Sequence, residues 1–437
     1  MRGGRVIVVG AGFSGLACAL ALAEAGAEPL VLEARDRVGG RTLSRPLPDG
    51  GWLDLGAQWI GPTQDRMYAL VSAYGLETFP SPAHGAPTLL LDGRPAAEPA
   101  GLAALLGTLD ELAAAVDPAA PWRAAAAAEW DRTTLGCWLA ATAGDPVTAR
   151  YAGRLLAGGL LAASPDEVSL LQMLFYLRSG GGAGSLLGMA GGAQQDRIVG
   201  GPAALAQRMA AALPPEWLRL GAPVDGIAQD AAGVRVRAGD QVHRGDAVVV
   251  ALAPALAGRI RYDPPLPALR DGLTQRMPMG AALKVHARYP EPFWRADGRS
   301  GVATTDTGPL TETVDNSLPG RPGGVLTGFS YGAQARALRR LPDAARRAAL
   351  RDALVALVGP AAAEPEDLVE YDWSADPWTR GCFCGLVTPG SWCDYGPELR
   401  APVGRVHWAG TETATRWSGY LEGAVTAGER AAAEALD

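Results

Sequence analysis

The chain has 437 residues, more than the roughly 250–300 at which a single hydrophobic core stops growing, so two interleaved domains are expected. Apolar residues make up 48% and charged residues 19%, the composition of a globular protein with a large core. A net charge of −7 without any basic run argues against nucleic acid or an anionic membrane surface as partner.

The first stretch, "MRGGRVIVVGAGFSGLACALALAEAG", has the basic start and apolar run of a signal peptide. Its glycines contradict that reading. Gly10, Gly12 and Gly15 form G-x-G-x-x-G after the strand-like "RVIVV", and a second strand-like run ends on Glu33. That is the βαβ context of a dinucleotide site. Gly10 permits the tight turn, Gly12 lets backbone approach a pyrophosphate, and Gly15 packs helix on strand. The helix N-terminus faces the phosphates and Glu33 takes the ribose hydroxyls. The sequence continues "EARDRVGGRTLSRPLPDGGWLDLGAQWIGPTQ", where Gly39 and Gly40, bracketed by Arg35 and Arg41, make a second phosphate-facing loop. A nicotinamide site does not need this loop, whereas a long, extended flavin dinucleotide does.

Residues 76 to about 185 are Ala-rich and read as helical, with Ser or Asp at plausible caps in "SPDEVSLLQMLFYLRSGG". The run "AAAAA" at 124–128 is low complexity and helix-forming. From "LRLGAPVDGIAQDAAGVRVRAGDQVHRGDAVVVALAP" short strands joined by turns are expected, and from about 270 to 375 further strands with a helix over "DAARRAALRDALVALVG". The stretch "PMGAALKVHARYPEPFW" holds Lys284, the one lysine among 39 basic residues. A compact ammonium that shifts its pKa on burial cannot be replaced by a planar guanidinium, which marks Lys284 as a functional candidate. The final segment, "GRVHWAGTETATRWSGYLEGAVTAGERAA", reads as a strand, a glycine turn and a helix whose N-terminus suits the anionic edge of a reduced flavin. No apolar run outside the βαβ unit is long enough for a membrane anchor. The five cysteines (Cys18, Cys137, Cys382, Cys384, Cys393) are odd in number and lack zinc spacing, and four histidines are scattered. No disulfide framework or metal site is expected, and a cytoplasmic location fits.

The runs "EARDRVGGRT", "GGAQQDRIVGG" at 191–201, the Lys284 stretch and residues 404–432 together resemble the flavin amine oxidases, the monoamine oxidase family, over essentially the whole chain. The resemblance implies a mixed α/β fold. In it an FAD-binding, Rossmann-like βαβ domain (1–75, 186–268 and 376–437) interleaves with a substrate-binding domain of helices and a mixed sheet (76–185 and 269–375).

It also implies a set of site residues. FAD would meet Gly10, Gly12, Gly15, Glu33, Ala34, Arg35, Gly39, Gly40, Arg41, Gly56, Ala57, Gln58, Trp59, Val224 at adenine, Trp373, Cys382, Gly410, Thr411, Glu412, Tyr420 and Leu421. Phe383 and Tyr420 match the aromatic cage through which the amine passes, although the family more often has Tyr at the first position. Lys284 matches the lysine that holds a water against the flavin. Gln194 and Trp59 match substrate-side positions, and Leu187 matches a gate. Cys382 matches the cysteine that binds flavin through a thioether in some members. Others hold FAD without a bond, and both alternatives stand; Arg380 is a candidate for lowering the thiol pKa.

The implied reaction is oxidation of a primary or secondary amine to an imine or aldehyde, with O2 reduced to H2O2 by what is expected to be a homodimer. An L-amino-acid oxidase on the same fold is the alternative and would need a basic group, such as Arg178, to grip the carboxylate. A non-catalytic flavin-binding protein is the alternative of another class.

Overall fold

A computed structural model describes residues 3–82 and 84–437. The basic start of the N-terminal stretch, Met1 and Arg2, and Ala83 of the Ala-rich segment lie outside the described residues.

The N-terminal βαβ unit consists of β1 (Arg5–Val9), α1 (Phe13–Glu24) and β2 (Glu28–Leu32). Val6, Ile7 and Val8 are fully buried, as expected for a strand covered on both faces. The two strands sit in an all-parallel sheet of five, ordered Leu218–Arg219, β2, β1, Ala247–Val250, Val406–Trp408. This sheet gathers strands from both ends of the chain. Its outer layer is α1 packed against the C-terminal helix Leu421–Leu436. The approach is so close that a Cβ on Gly428 would lie 2.0 Å from the Ser14 carbonyl oxygen.

The strands expected between 218 and 250 are present. Val224–Asp230, Gly233–Ala238 and Gln241–Gly245 form an antiparallel meander before the chain enters the parallel sheet at Ala247. A separate seven-stranded sheet runs in the order Asp367–Asp372, Ala282–Tyr289, Gly324–Tyr331, Glu312–Asp315, Arg299–Thr305, Ala86–Leu91, Arg94–Pro95. Its alternation decides what reaches the cavity. In Ala282–Tyr289 the residues Leu283, Val285, Ala287 and Tyr289 enter a core shared with Leu350 and Leu354 of the helix Asp343–Val358. Lys284 and His286 therefore point to the other face.

The segment read as helical begins otherwise. Thr78–Pro80 is a strand, and Ala86–Leu91 with Arg94–Pro95 forms a hairpin on the edge of the seven-stranded sheet. Asp92 and Gly93, at φ 48° and 75°, make the two-residue turn. An Asp-Gly pair after an apolar run is a hairpin signal, and it outweighs the alanine content around it. The "AAAAA" run is helical only from Ala127, in Ala127–Arg132, because Pro121–Arg123 forms a 3₁₀ turn and Ala124 is extended at ψ 144°. Beyond it the helices form as expected, with Ser169 accepting from the Gln172 amide at 3.0 Å to start Leu170–Ser179. Arg154–Leu160 is wound as a π-helix. Among the described residues no helix is long and apolar enough to cross a membrane, and no group of three or more His, Cys, Asp or Glu could hold a metal.

Candidate active site

One cavity of about 560 Å³ is lined by residues from both sheets. Of the residues expected to meet FAD or substrate, all line it except Gly15, Ala34, Val224 and Glu412, and the candidates Arg178 and Arg380 lie off it as well. Gly15 packs against the Gly10 carbonyl, where a Cβ would lie 1.9 Å away. Val224 packs instead beside the core that includes Ile7, Ile227 and Trp408. The dinucleotide end is a cradle of bare backbone. Gly12 and Gly40 face each other so closely that a Cβ on Gly40 would lie 3.1 Å from the Gly12 Cα. The α1 N-terminus has neither a side-chain cap nor an acid in its first turn, so its amides and positive dipole end are unneutralised. Glu33 is buried and fixed by the amides of Ala11 (2.7 Å) and Arg35 (3.0 Å). These features fit an extended flavin dinucleotide: backbone for the pyrophosphate, a carboxylate for the ribose.

The two flanking arginines do something other than face phosphate freely. Arg35 donates to Asp376 (2.7 Å) and Thr379 (3.1 Å), tying the glycine loop to the segment that leads to Phe383. Arg41 donates to the Phe383 carbonyl (2.6 Å) and to Glu412 (2.7 Å). Glu412 also accepts from the Gly385 amide at 3.0 Å. Against its burial, Arg41 holds Glu412 below the usual carboxylate range. Glu412 thus positions the strand Cys382–Gly385 rather than lining the cavity. Phe383 itself sits at φ 48°, a sparsely populated region for a bulky residue, and these bonds keep it there. Its ring meets Tyr331 edge-on at 5.7 Å, while Tyr420 is braced by Trp417 (5.0 Å) and Tyr176 (6.1 Å).

Lys284 is 5% exposed and donates to the Asp54 carbonyl (2.5 Å), the Gly56 carbonyl (3.0 Å) and Gln58 Oε1. All three ammonium hydrogens go to protein oxygens, so the lysine presents a fixed field where a held water was expected. Its nitrogen lies 5.9 Å from the Trp59 ring and 5.4 Å from Phe329. Burial pulls its pKa from 10.5 down to about 7, with Asp54 opposing the fall and Arg197 adding to it.

Cys382 is buried and lines the cavity. Burial pushes its thiol up to about 12, with Arg41, not the exposed Arg380, as the nearby cation acting against the rise. Cys384 is buried as well, but does not line the cavity.

Sequence reasoning missed Glu312. It lines the cavity from the seven-stranded sheet and accepts from the Tyr331 hydroxyl at 2.6 Å. Burial raises its pKa although that hydrogen bond opposes the rise. The signal was present: in "ETV" the acid alternates with Val314 on one strand face, a position where an apolar side chain is expected. The cations lining the cavity are Arg35 and Arg41, tied to Asp376 and Glu412, and Lys284 on the seven-stranded sheet, whose ammonium is engaged by Asp54, Gly56 and Gln58. Arg178 lies elsewhere, in a separate crevice with Arg416 and Trp417. Gln194 donates to the Leu186 carbonyl (3.0 Å), and its Oε1 has no protein partner, leaving an acceptor on the cavity wall.

Residues 13–436 match the model of the family described as flavin containing amine oxidoreductase. A putative flavin-containing monoamine oxidase of Mycobacterium tuberculosis is 40% identical over 98% of this chain and 96% of its own length. An L-amino acid dehydrogenase of Synechocystis is 36% identical over 98% of this chain and 93% of its own. Among solved structures, wild-type putrescine oxidase bound to putrescine superposes with a TM-score of 0.94 at 32% identity, covering 99% of each chain. Cyclohexylamine oxidase from Brevibacterium oxydans gives 0.94 at 37% identity, again over 99% of each chain.

Proposed function

The chain belongs to the flavin-containing amine oxidoreductase family, and from that premise we propose that it oxidises an amine carrying a second cationic group, with O2 as electron acceptor. FAD-dependent amine oxidation is the family's chemistry. The observation that carries the finer reading is Glu312, a carboxylate set in the substrate half of a cavity that joins the dinucleotide cradle to Phe383 and Tyr420. Putrescine, the ligand of one structural neighbour, is a diamine of this kind.

FAD held by the glycine cradle and Glu33 would supply a two-electron acceptor for oxidation of the amine's α-C–H bond, with O2 as the final acceptor and H2O2 as its product. The protein's part is orientation and charge. Phe383 and Tyr420 offer ring faces to the reacting nitrogen and exclude water from it. Glu312, with Tyr331 holding one oxygen, receives the distal ammonium by a charge-assisted hydrogen bond. The released imine hydrolyses in water to an aldehyde, or to a ketone where the nitrogen sits on a secondary carbon, and ammonia or an amine. A substrate α-carboxylate would meet a like charge at Glu312, and the cavity's cations are already engaged, Arg35 and Arg41 by carboxylates and Lys284 by three protein oxygens, which counts against the amino-acid alternative. Assay of putrescine, n-butylamine and ornithine with peroxide detection tests the proposal. The diamine is expected to have the highest kcat/KM, and preference for ornithine would move the assignment to the amino-acid oxidase.

Lys284 supplies a cation where negative charge develops on oxygen as it accepts electrons. With the folded-state pKa pulled down to about 7, the lysine is charged below that pH and neutral above it. The bimolecular rate of reoxidation by O2 is therefore expected to fall as pH rises from 6 to 9, with its midpoint near 7. A stopped-flow profile that is flat over this range would assign the charge to another group.

We propose that Cys382, which lines the cavity beside Phe383, forms a thioether with the flavin; the alternative is FAD held without a bond. After acid precipitation the pellet is expected to stay yellow, and its mass to exceed that of the apoprotein by one FAD. Cys382→Ala should release the colour and Cys384→Ala should retain it. A colourless wild-type pellet would make Cys382 a packing residue, with FAD held by the cradle and Glu33 alone.

A further inference from the structure

Two cavity-lining glycines, Gly159 and Gly184, lack the usual reasons for being glycine. Gly159 belongs to the π-helix Arg154–Leu160, and Gly184 to the helix Ala183–Leu187 that touches it. Neither has a left-handed backbone. Neither is crowded, for a Cβ at either position meets no heavy atom within 4 Å. The contrast with their neighbours is direct. A Cβ on Gly158 would already contact the Tyr331 ring at 3.4 Å, and one on Gly188 would lie 2.8 Å from the Gly184 carbonyl oxygen. Glycine inside a helix is less favourable than alanine, so an uncrowded one with ordinary backbone is retained at a local disadvantage. What the two positions share is the empty space in front of them, and that space is the substrate cavity.

We propose that Gly159 and Gly184 are specificity-determining residues: the side chains they omit leave the width that lets a broad, cyclic amine body pass between the cavity mouth and the cage. This inference rests on reading the cavity as an amine site and adds the shape of the amine it takes. Leu155 and Leu160, on the same helix as Gly159, give that body an apolar wall, and Leu187 and Met189 continue it beyond Gly184. Gly159, partly buried, would limit width within the cavity, and Gly184, exposed, would limit it at the mouth.

The test compares amines matched in charge and differing in breadth: n-butylamine with cyclohexylamine, and putrescine with trans-1,4-diaminocyclohexane. Gly159→Leu is expected to lower kcat/KM for both cyclic amines at least tenfold, mainly through KM, while the linear pair changes less than twofold. Gly184→Leu should act in the same direction more weakly, and Gly159→Ala should fall between parent and Gly159→Leu. The alanine variant also keeps the test alive if leucine disturbs folding, which flavin content and Tm report. Gly107→Leu is the control, since Gly107 in the helix Leu102–Ala114 is equally uncrowded but exposed and off the cavity. It should leave all four amines unchanged. Equal losses on linear and cyclic amines, or no loss in either leucine variant, would overturn the proposal. A parent protein that turns over none of the four amines would instead remove the amine-oxidase reading beneath it.

Discussion

Lys284→Met is expected to bind FAD and to be reduced by amine under anaerobic conditions as the parent is, yet to reoxidise in air at least about tenfold more slowly. A tenfold effect is about 1.4 kcal/mol of lost transition-state stabilisation, a modest loss for one preorganised charge in a dry site. The substitution leaves three oxygens, those of Asp54, Gly56 and Gln58, without the ammonium they accept from. Flavin content must therefore be measured beside the rates, since a poorly folded variant would lose both half-reactions together. Loss confined to the oxidative half supports the field role. Unchanged reoxidation would remove it and leave Lys284 as a structural tie between the seven-stranded sheet and the Asp54–Gln58 segment. The pH profile should also flatten in this variant, because the group that titrates near 7 has gone.

Glu312→Gln should divide diamines from monoamines. The amide keeps the size of the carboxyl and can still accept from Tyr331, but it offers a distal ammonium no charge. Losing a charge-assisted hydrogen bond worth about 2 kcal/mol corresponds to roughly thirtyfold in kcat/KM for putrescine. n-Butylamine, which has no second cation, should hold its value or improve. Parallel losses on both amines would show that Glu312 supports Tyr331 and the cage instead of meeting substrate.

Much of the cofactor half was legible because its chemistry is local. Gly10, Gly12, Gly40 and Glu33 lie within 31 residues of one another, and each has a meaning set by backbone near it in sequence. Lys284 was legible for a different reason: in a chain that otherwise uses arginine, its identity alone pointed to a special environment. The arginines show the limit. Arg35 and Arg41 were placed near phosphate by proximity to the glycines, but their partners Asp376 and Glu412 are more than 300 residues away. Only the fold reveals that both are engaged in holding the cage loop. Glu312 fell into the same gap, because an acid on an apolar strand face acquires its role from Tyr331 and from the empty space beside it. The hairpin at Ala86–Pro95 was missed although Asp92–Gly93 announced it, since alanine content over a long window was given more weight than a two-residue turn.

The close seat of Gly428 on Ser14 has a consequence for how the protein is made. At about 5–20 residues per second, roughly 20–80 s of synthesis separate those two positions. Until residues 247–250 are made β1 lacks that neighbour in the sheet, and until residues 421–436 are made α1 exposes the face that this helix covers. The nucleotide-binding end, written first, is completed last. A nascent chain is thus expected to carry an uncovered α1 face for most of the synthesis of this fold, and cofactor capture to follow the closing of Leu421–Leu436 onto α1.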